Sequence, residues 1–191
     1  MAPVLPFSAC KGRFLAVLDG PCGSGKTTVS KYLEQQIPNL RIVHMDDYYV
    51  PIVRKTPERL SIPGGNADVE RLVEEVLTPY LEGRDALVRP YLAHEDRFLP
   101  SWTLPADVPL LIEGSYSGLP QISSHADFRI FLTIDETLQK ERILRRNGPD
   151  VYKKFVSMWI PLEKAYHAHY HLPTESWLVY NQDELQMLMK G

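Results

Sequence analysis

Cysteine is almost missing from this chain of 191 residues: only Cys10 and Cys22 occur, too few for a disulfide framework. An excess of positive charge is missing too. Lys and Arg number 21 against 24 Asp and Glu, a formal charge of -3, which leaves no basic face for counterion release and excludes a dedicated DNA-binding protein. No apolar run approaches the ~20 residues that span a bilayer. The opening MAPVLPFSACKGRFLAV has prolines at 3 and 6 and lacks a charged start followed by a long apolar stretch, so it does not read as a signal peptide. Internal repeats and low-complexity tracts are absent as well. The expectation is a cytoplasmic protein in a reducing setting, acting on neither nucleic acid nor membrane.

What is present is globular, with 44% apolar and 24% charged residues, at a length that suits a single domain spanning 1–191. Residues 13–19 (RFLAVLD) form a short apolar run ending at Gly20, as a buried strand does. Residues 26–36 carry Val29, Leu33 and then Ile37 at helical spacing, and Pro38 stops them. A second strand is expected over 40–45. From 46 to 65 the pattern disappears, as in a functional or mobile segment. A helix restarts with Asn66 as its cap, Asp68 and Glu70 in its first turn, and a stripe of Val69, Leu72, Val73, Val76 and Leu77. Further strands are expected over 109–113, 128–134 and 177–180, with a short one over 86–91. Helices are expected over 136–146, over 151–170 with a bend at Pro161, and over 183–189. This alternation predicts a three-layer α/β/α sandwich on a mainly parallel five-stranded sheet.

Gly20-Pro21-Cys22-Gly23-Ser24-Gly25-Lys26-Thr27 fits G-x-x-x-x-G-K-[ST] at every fixed position, with a strand before it and a helix after it. Glycines let successive backbone N–H groups turn inward around a phosphate, and the following helix N-terminus favours the same charge. Gly20, Cys22, Gly23, Ser24, Gly25, Lys26, Thr27 and Thr28 are therefore the expected nucleotide contacts. Lys26 would reach the β- and γ-phosphates and the Thr27 hydroxyl would ligate Mg²⁺. Cys22, beside Lys26 and a helix N-terminus, sits where a thiol pKa can fall, although a small residue filling the loop is the plainer reading.

Two carboxylate positions follow. Glu113 ends the run PLLIE and precedes Gly114, at a strand's carboxyl end, and can orient Mg²⁺ directly or through water. Asp46 and Asp47 follow the second strand, where open α/β sheets place ligands, and phosphoryl transfer needs an acid near the nucleophile. Either can point inward, and Asp46 is preferred. Two other features read as structural. Of His167, His169 and His171, only His167 and His171 share a helical face and no third metal ligand is evident, and Phe155, Trp159, Leu162 and Tyr166 have the spacing of a core stripe.

Beyond the loop, the chain resembles the uridine kinase and phosphoribulokinase group of P-loop kinases. The resemblance rests on Asp46-Asp47-Tyr48-Tyr49, Arg89-Pro90-Tyr91 with His94 and Arg97, Leu111-Ile112-Glu113-Gly114, and Arg142-Ile143-Leu144-Arg145-Arg146, in that order. It implies a P-loop NTPase fold, ATP and Mg²⁺, and a short lid around 146–151. It makes Asp46 the carboxylate that takes the acceptor's proton and helps hold the metal. Arg142 is implied to reach the acceptor and to act in catalysis with Lys26, and Arg145 to reach ATP. Tyr49, Tyr91, His94 and Arg97 become candidates for the acceptor pocket. One departure is visible: a Tyr-Asp pair expected near residue 91 is here Tyr91-Leu92.

The expected activity is transfer of the ATP γ-phosphoryl group to a hydroxyl of a small metabolite, with a nucleoside 5′-hydroxyl such as uridine's as first choice. Pantothenate or a sugar-type acceptor is the alternative within the same chemistry. A nucleotide-dependent switch with slow ATP hydrolysis is the alternative outside it. The expected partner is a small-molecule acceptor, and a homo-oligomer is compatible with the sequence.

Overall fold

In the computed structural model, which describes residues 12–190, the first apolar run becomes β1 (Leu15–Asp19), buried throughout. Cys10 and the rest of the opening stretch lie outside the described residues. Leu15 and Val17 face one core and Ala16 and Leu18 the other, as a parallel sheet covered on both faces requires. The glycine-rich stretch leads into α1 (Lys26–Gln36), which sends Val29 and Leu33 into the second core. β2 (Arg41–His44) is shorter than expected, because Met45–Tyr48 winds into a 3-10 turn.

The stretch after that turn is more regular than its composition suggests. It holds a second 3-10 turn, Ile52–Arg54, and α2 (Pro57–Ser61). Thr56 caps α2 by accepting the Arg59 N–H at 3.2 Å. A threonine cap followed by proline at the first helical position is a sound start signal, hidden here by the helix's brevity. The next helix is capped by Asp68 rather than Asn66, and runs as α3 (Val69–Leu72), a π turn (Val73–Leu77) and α4 (Thr78–Leu81). The Asp68 carboxylate makes no capping bond. It is buried against the Arg54 guanidinium at 3.0 Å and Arg71 at 3.4 Å.

The strand expected over 86–91 splits at Pro90 into β3 (Ala86–Val88) and β4 (Tyr91–Leu92). Neither joins the main sheet. β4 pairs antiparallel with β5 (Arg97–Phe98) and β3 with β6 (Trp102–Leu104). The chain then gives β7 (Leu110–Glu113), α5 (Pro120–Ser123), β8 (Phe128–Leu132) and α6 (Glu136–Lys154). The helix break expected at 147–149 narrows to one residue, Gly148 at φ 78° and ψ 171°. A π turn (Phe155–Trp159) follows, just ahead of Pro161, whose missing N–H cannot donate to the preceding turn. It leads into α7 (Ile160–His169), β9 (Leu178–Tyr180) and α8 (Gln182–Lys190).

The main sheet has the order β2-β7-β1-β8-β9, and every neighbouring pair is parallel. α1 and α8 cover the core that holds Ala16, Leu18, Leu185 and Leu188. The α3–α4 helix, α5 and Tyr166 of α7 pack on the opposite face. This is the expected three-layer sandwich, with the carboxyl ends of β1, β2 and β7 opening toward the glycine-rich loop. No helix among the described residues is long and apolar enough to cross a membrane.

Candidate active site

A cleft of about 930 Å³ opens at those carboxyl ends. The loop between β1 and α1 forms its floor. Gly20 has φ 143°, and a Cβ there would stand 2.4 Å from the Leu132 carbonyl oxygen, so only glycine fits. Gly25, at φ 100°, caps α1, whose first turn holds no acidic side chain to satisfy its free amides. Side chains from elsewhere seize the loop's carbonyls in succession. Gln139 donates to the Cys22 oxygen at 2.9 Å, Arg142 to Gly23 at 3.0 Å and Gln182 to Ser24 at 3.0 Å. With those carbonyls turned outward, the amides at the α1 end of the loop are left to face an anion with little to reorganise on binding.

Lys26 is buried, and its ammonium is folded back onto the Gly20 and Pro21 carbonyls at 2.6 and 3.1 Å. Asp19, fully buried at the end of β1, fixes the loop's entry. Its carboxylate accepts the N–H groups of Gly20 (2.6 Å) and Gly118 (2.8 Å) and the hydroxyl of Tyr166 (2.7 Å). Tyr166→Phe leaves that buried carboxylate one donor short. The expected cost is ~2 kcal/mol, the range of hydrogen bonds to charged groups, seen as a fall in Tm of roughly 4–8 °C in thermal denaturation. An unchanged Tm would show that the Asp19 carboxylate does not depend on this bond.

Cys22, Gly23, Ser24, Gly25, Lys26, Thr27 and Thr28 all line the cleft, together with Asp46, Asp47 and Glu113. Gly20 contributes its carbonyl to Lys26 rather than a cleft surface. The Cys22 thiol is raised rather than lowered. Burial, and next the charge of Glu163, push its pKa up to about 12, against the smaller opposite pull of Lys26. It is a poor nucleophile, and the plainer reading of Cys22 stands.

Asp46 lies in the 3-10 turn, exposed to the cleft, and the Tyr49 hydroxyl donates to it at 2.9 Å. Asp47 lies beside it, its carboxyl raised chiefly by burial, while His44 pulls the other way. Glu113 and His44 are register partners across β7 and β2, which brings the His44 Nδ1 to 2.6 Å from the Glu113 carboxylate. That hydrogen bond raises the His44 pKa against the opposing effect of burial. The oxygens expected to hold Mg²⁺, on Thr27, Asp46 and Glu113, share the cleft, and an all-oxygen set suits a hard cation. Among the described residues no cluster of three or more His, Cys, Asp or Glu side chains is arranged to hold a metal. A cation here would therefore take nucleotide oxygens as well, as Mg²⁺ commonly does.

On the basic helix, Arg142, Arg145 and Arg146 line the cleft. Arg142 touches the phosphate loop through Gly23, where the resemblance implies a reach toward the acceptor. Gln139 and Arg142, three residues apart on one face of α6, hold consecutive loop carbonyls. On the opposite side Tyr49, Tyr91 and His94 line the cleft, joined by Lys55, Asn66 and Tyr116. The Tyr91 hydroxyl is engaged by Asp96. Arg97 does not reach the cleft, and its guanidinium is paired with Glu95 at 2.6 Å. Phe155 and Trp159, read as core, pack edge-on at 4.6 Å along the cleft wall, whereas Tyr166 is core as expected.

The model of the phosphoribulokinase / uridine kinase family matches residues 15–150, most of the chain. Sequence comparison with curated proteins finds no match. Solved structures of similar fold include a candidate uridine kinase from Bacillus stearothermophilus, with 21% identity, 90% of each chain covered and a TM-score of 0.65. A candidate fructose transport system kinase from Silicibacter sp. TM1040 has 18% identity, 93% of each chain covered and a TM-score of 0.67. D-glycerate 3-kinase from Cryptococcus neoformans has 14% identity over 90% of this chain and 87% of its own, with a TM-score of 0.59. With its phosphate loop, parallel sheet and family match, this chain belongs to the phosphoribulokinase / uridine kinase family and is a P-loop kinase.

Proposed function

We propose that the cleft transfers the γ-phosphoryl group of ATP to the 5′-hydroxyl of a nucleoside. The supporting observation is that a carboxylate outside the phosphate loop, Asp46 held by the Tyr49 hydroxyl, opens into the same cleft as Lys26. In the transfer, the bond from the γ-phosphorus to the β–γ bridging oxygen breaks as a bond to the acceptor oxygen forms, and the acceptor's proton passes to Asp46. Lys26 and Arg142 neutralise charge on the phosphate oxygens, while the loop amides hold them in line. Bound through Thr27, Asp46 and Glu113, Mg²⁺ would supply charge neutralisation at the β- and γ-phosphates. The segment around the break at Gly148 forms a short lid, and Arg146 on it and Arg145 beside it close on the nucleotide.

For the acceptor, the tyrosine faces of Tyr49, Tyr91 and Tyr116 suit a base, and Asn66 and His94 suit its polar edge and ribose. One observation favours a second acceptor class. Lys55 lines the acceptor side with its ammonium 6.0 Å from the Tyr49 ring, and burial lowers its pKa. A small alcohol carrying a carboxylate or phosphate, such as pantothenate or a sugar phosphate, would pair with it.

ADP release measured with ATP, Mg²⁺ and a panel of acceptors separates these readings. The panel holds uridine and other nucleosides, pantothenate, sugar phosphates and, after the fold neighbours, fructose and D-glycerate. A many-fold rise with a nucleoside supports the proposal. A rise only with an anionic alcohol transfers the assignment to the Lys55 reading. Hydrolysis indifferent to every acceptor returns the nucleotide-switch reading.

A further inference from the structure

Glu163 is a cleft residue that no motif announces and the transfer mechanism does not use. It lies on α7, 6% exposed, with its carboxylate turned onto the phosphate loop. One oxygen accepts the Cys22 N–H at 2.8 Å and the other accepts the Ser115 hydroxyl at 2.6 Å. The same Ser115 oxygen stands 3.5 Å from the Lys26 ammonium. A protein carboxylate thus occupies an amide of a loop built to hold phosphate, one hydroxyl away from the lysine that meets the β- and γ-phosphates. Its charge also adds to burial in raising the phenol of Tyr116, the chain neighbour of Ser115.

The two ends of the loop serve different phosphates. The inner phosphates belong at the N-terminus of α1, beside the Lys26–Thr28 amides. Cys22 lies on the other limb, and the Pro21 carbonyl of the same peptide group accepts the Lys26 ammonium at 3.1 Å, which puts the Cys22–Glu163 bond beside the charge that meets the terminal phosphates. A diphosphate can settle at the helix end with the Glu163–Cys22 bond intact. A triphosphate brings its terminal oxygens against a buried carboxylate, and like charges so placed repel unless one departs.

Resting on the phosphate-loop reading above, we infer that Glu163 sets the balance between nucleoside triphosphate and diphosphate in this cleft, because its carboxylate holds the Cys22 amide that the terminal phosphate requires. It is a specificity-determining residue that disfavours the triphosphate and spares the diphosphate. After transfer, the carboxylate can return to the amide that the departed γ-phosphoryl group has vacated. Glu163→Gln keeps the shape and an acceptor oxygen while removing the charge.

The test is calorimetric titration of the full chain, in Mg²⁺, with the β,γ-imido analogue of ATP and with ADP. Expected for Glu163→Gln is about tenfold or tighter binding of the triphosphate analogue, the scale of one relieved like-charge contact, with ADP changed less than about threefold. Ser115→Ala, which removes one of the two bonds holding the carboxylate, shifts the ratio the same way by roughly threefold, and decides the matter if Glu163→Gln does not fold. An unchanged ratio, equal tightening of both nucleotides, or weaker binding of the analogue overturns the inference and leaves the phosphate loop standing. Wild-type protein that binds neither nucleotide removes the phosphate-loop reading itself, and the inference with it.

Discussion

Asp46→Ala binds ATP as the wild type does and turns over about 10²-fold or more slowly, the loss typical of a missing general base. The expectation rests on how the turn is held. Met45 is fully buried beneath it, and Arg71 grips the Asp47 carbonyl at 2.7 Å. The backbone therefore keeps its course when the Asp46 side chain is removed. The side chain itself makes one interior contact, the bond from Tyr49, and otherwise faces the cleft. Truncation should spare the fold and nucleotide affinity, because the phosphate-binding amides belong to another segment and Thr27 and Glu113 still hold Mg²⁺. Calorimetry with ATP and steady-state ADP release with a productive acceptor measure the two quantities separately. Asp47→Ala is the matched comparison. If it carries the larger loss, the roles of the two neighbours are exchanged. If neither variant slows turnover, no carboxylate of this turn takes the acceptor's proton.

How much of this could be read in advance depended on distance along the chain. The phosphate loop is a local signal, eight consecutive residues between a strand and a helix, and it was legible in full. So were the five strands of the main sheet, because buried parallel strands are short unbroken apolar runs. Of the pairs β3–β6 and β4–β5 only one short strand over 86–91 was expected, since strands of two or three residues punctuated by Pro90, Pro100 and Pro105 carry no period to detect. The groups that shape the site act from afar. Gln139 reaches a loop carbonyl 117 residues away, Gln182 one 158 away, and Glu163 a loop amide 141 away. Nothing in the sequence around Glu163 separates it from an ordinary helical glutamate. Only the seating of α7 against the loop gives it a role, and that seating also helps to raise the Cys22 thiol. His44 was closer to legible. Aligning β2 with β7 by their apolar residues places it beside Glu113, but that needs the strand order first. Helical phase puts Arg142 on the face of Gln139, against the loop.

Lys26→Met should be about as damaging as loss of the proton acceptor, for a different reason. The substitution keeps an apolar stem of similar length and deletes the charge. In the structure that charge is satisfied by the Gly20 and Pro21 carbonyls, two neutral dipoles that a phosphate can outbid. Binding would therefore swing the ammonium outward with little cost, and transfer would use it on oxygens whose charge is redistributing. Deleting one such donor lowers turnover by ~10²–10³-fold in comparable sites. Lys26→Arg should not restore it, because a planar fork cannot replace a compact ammonium between two loop carbonyls and a phosphate. Turnover and circular dichroism of both variants give the readout: a native spectrum with turnover lost in each. An Arg variant with near wild-type turnover would mean that positive charge alone suffices. The contrast with Glu163→Gln then becomes informative. Both substitutions remove one charge from the same end of the loop, yet one should weaken the hold on a triphosphate and the other strengthen it. The sign of the charge facing the terminal phosphate accounts for that divergence.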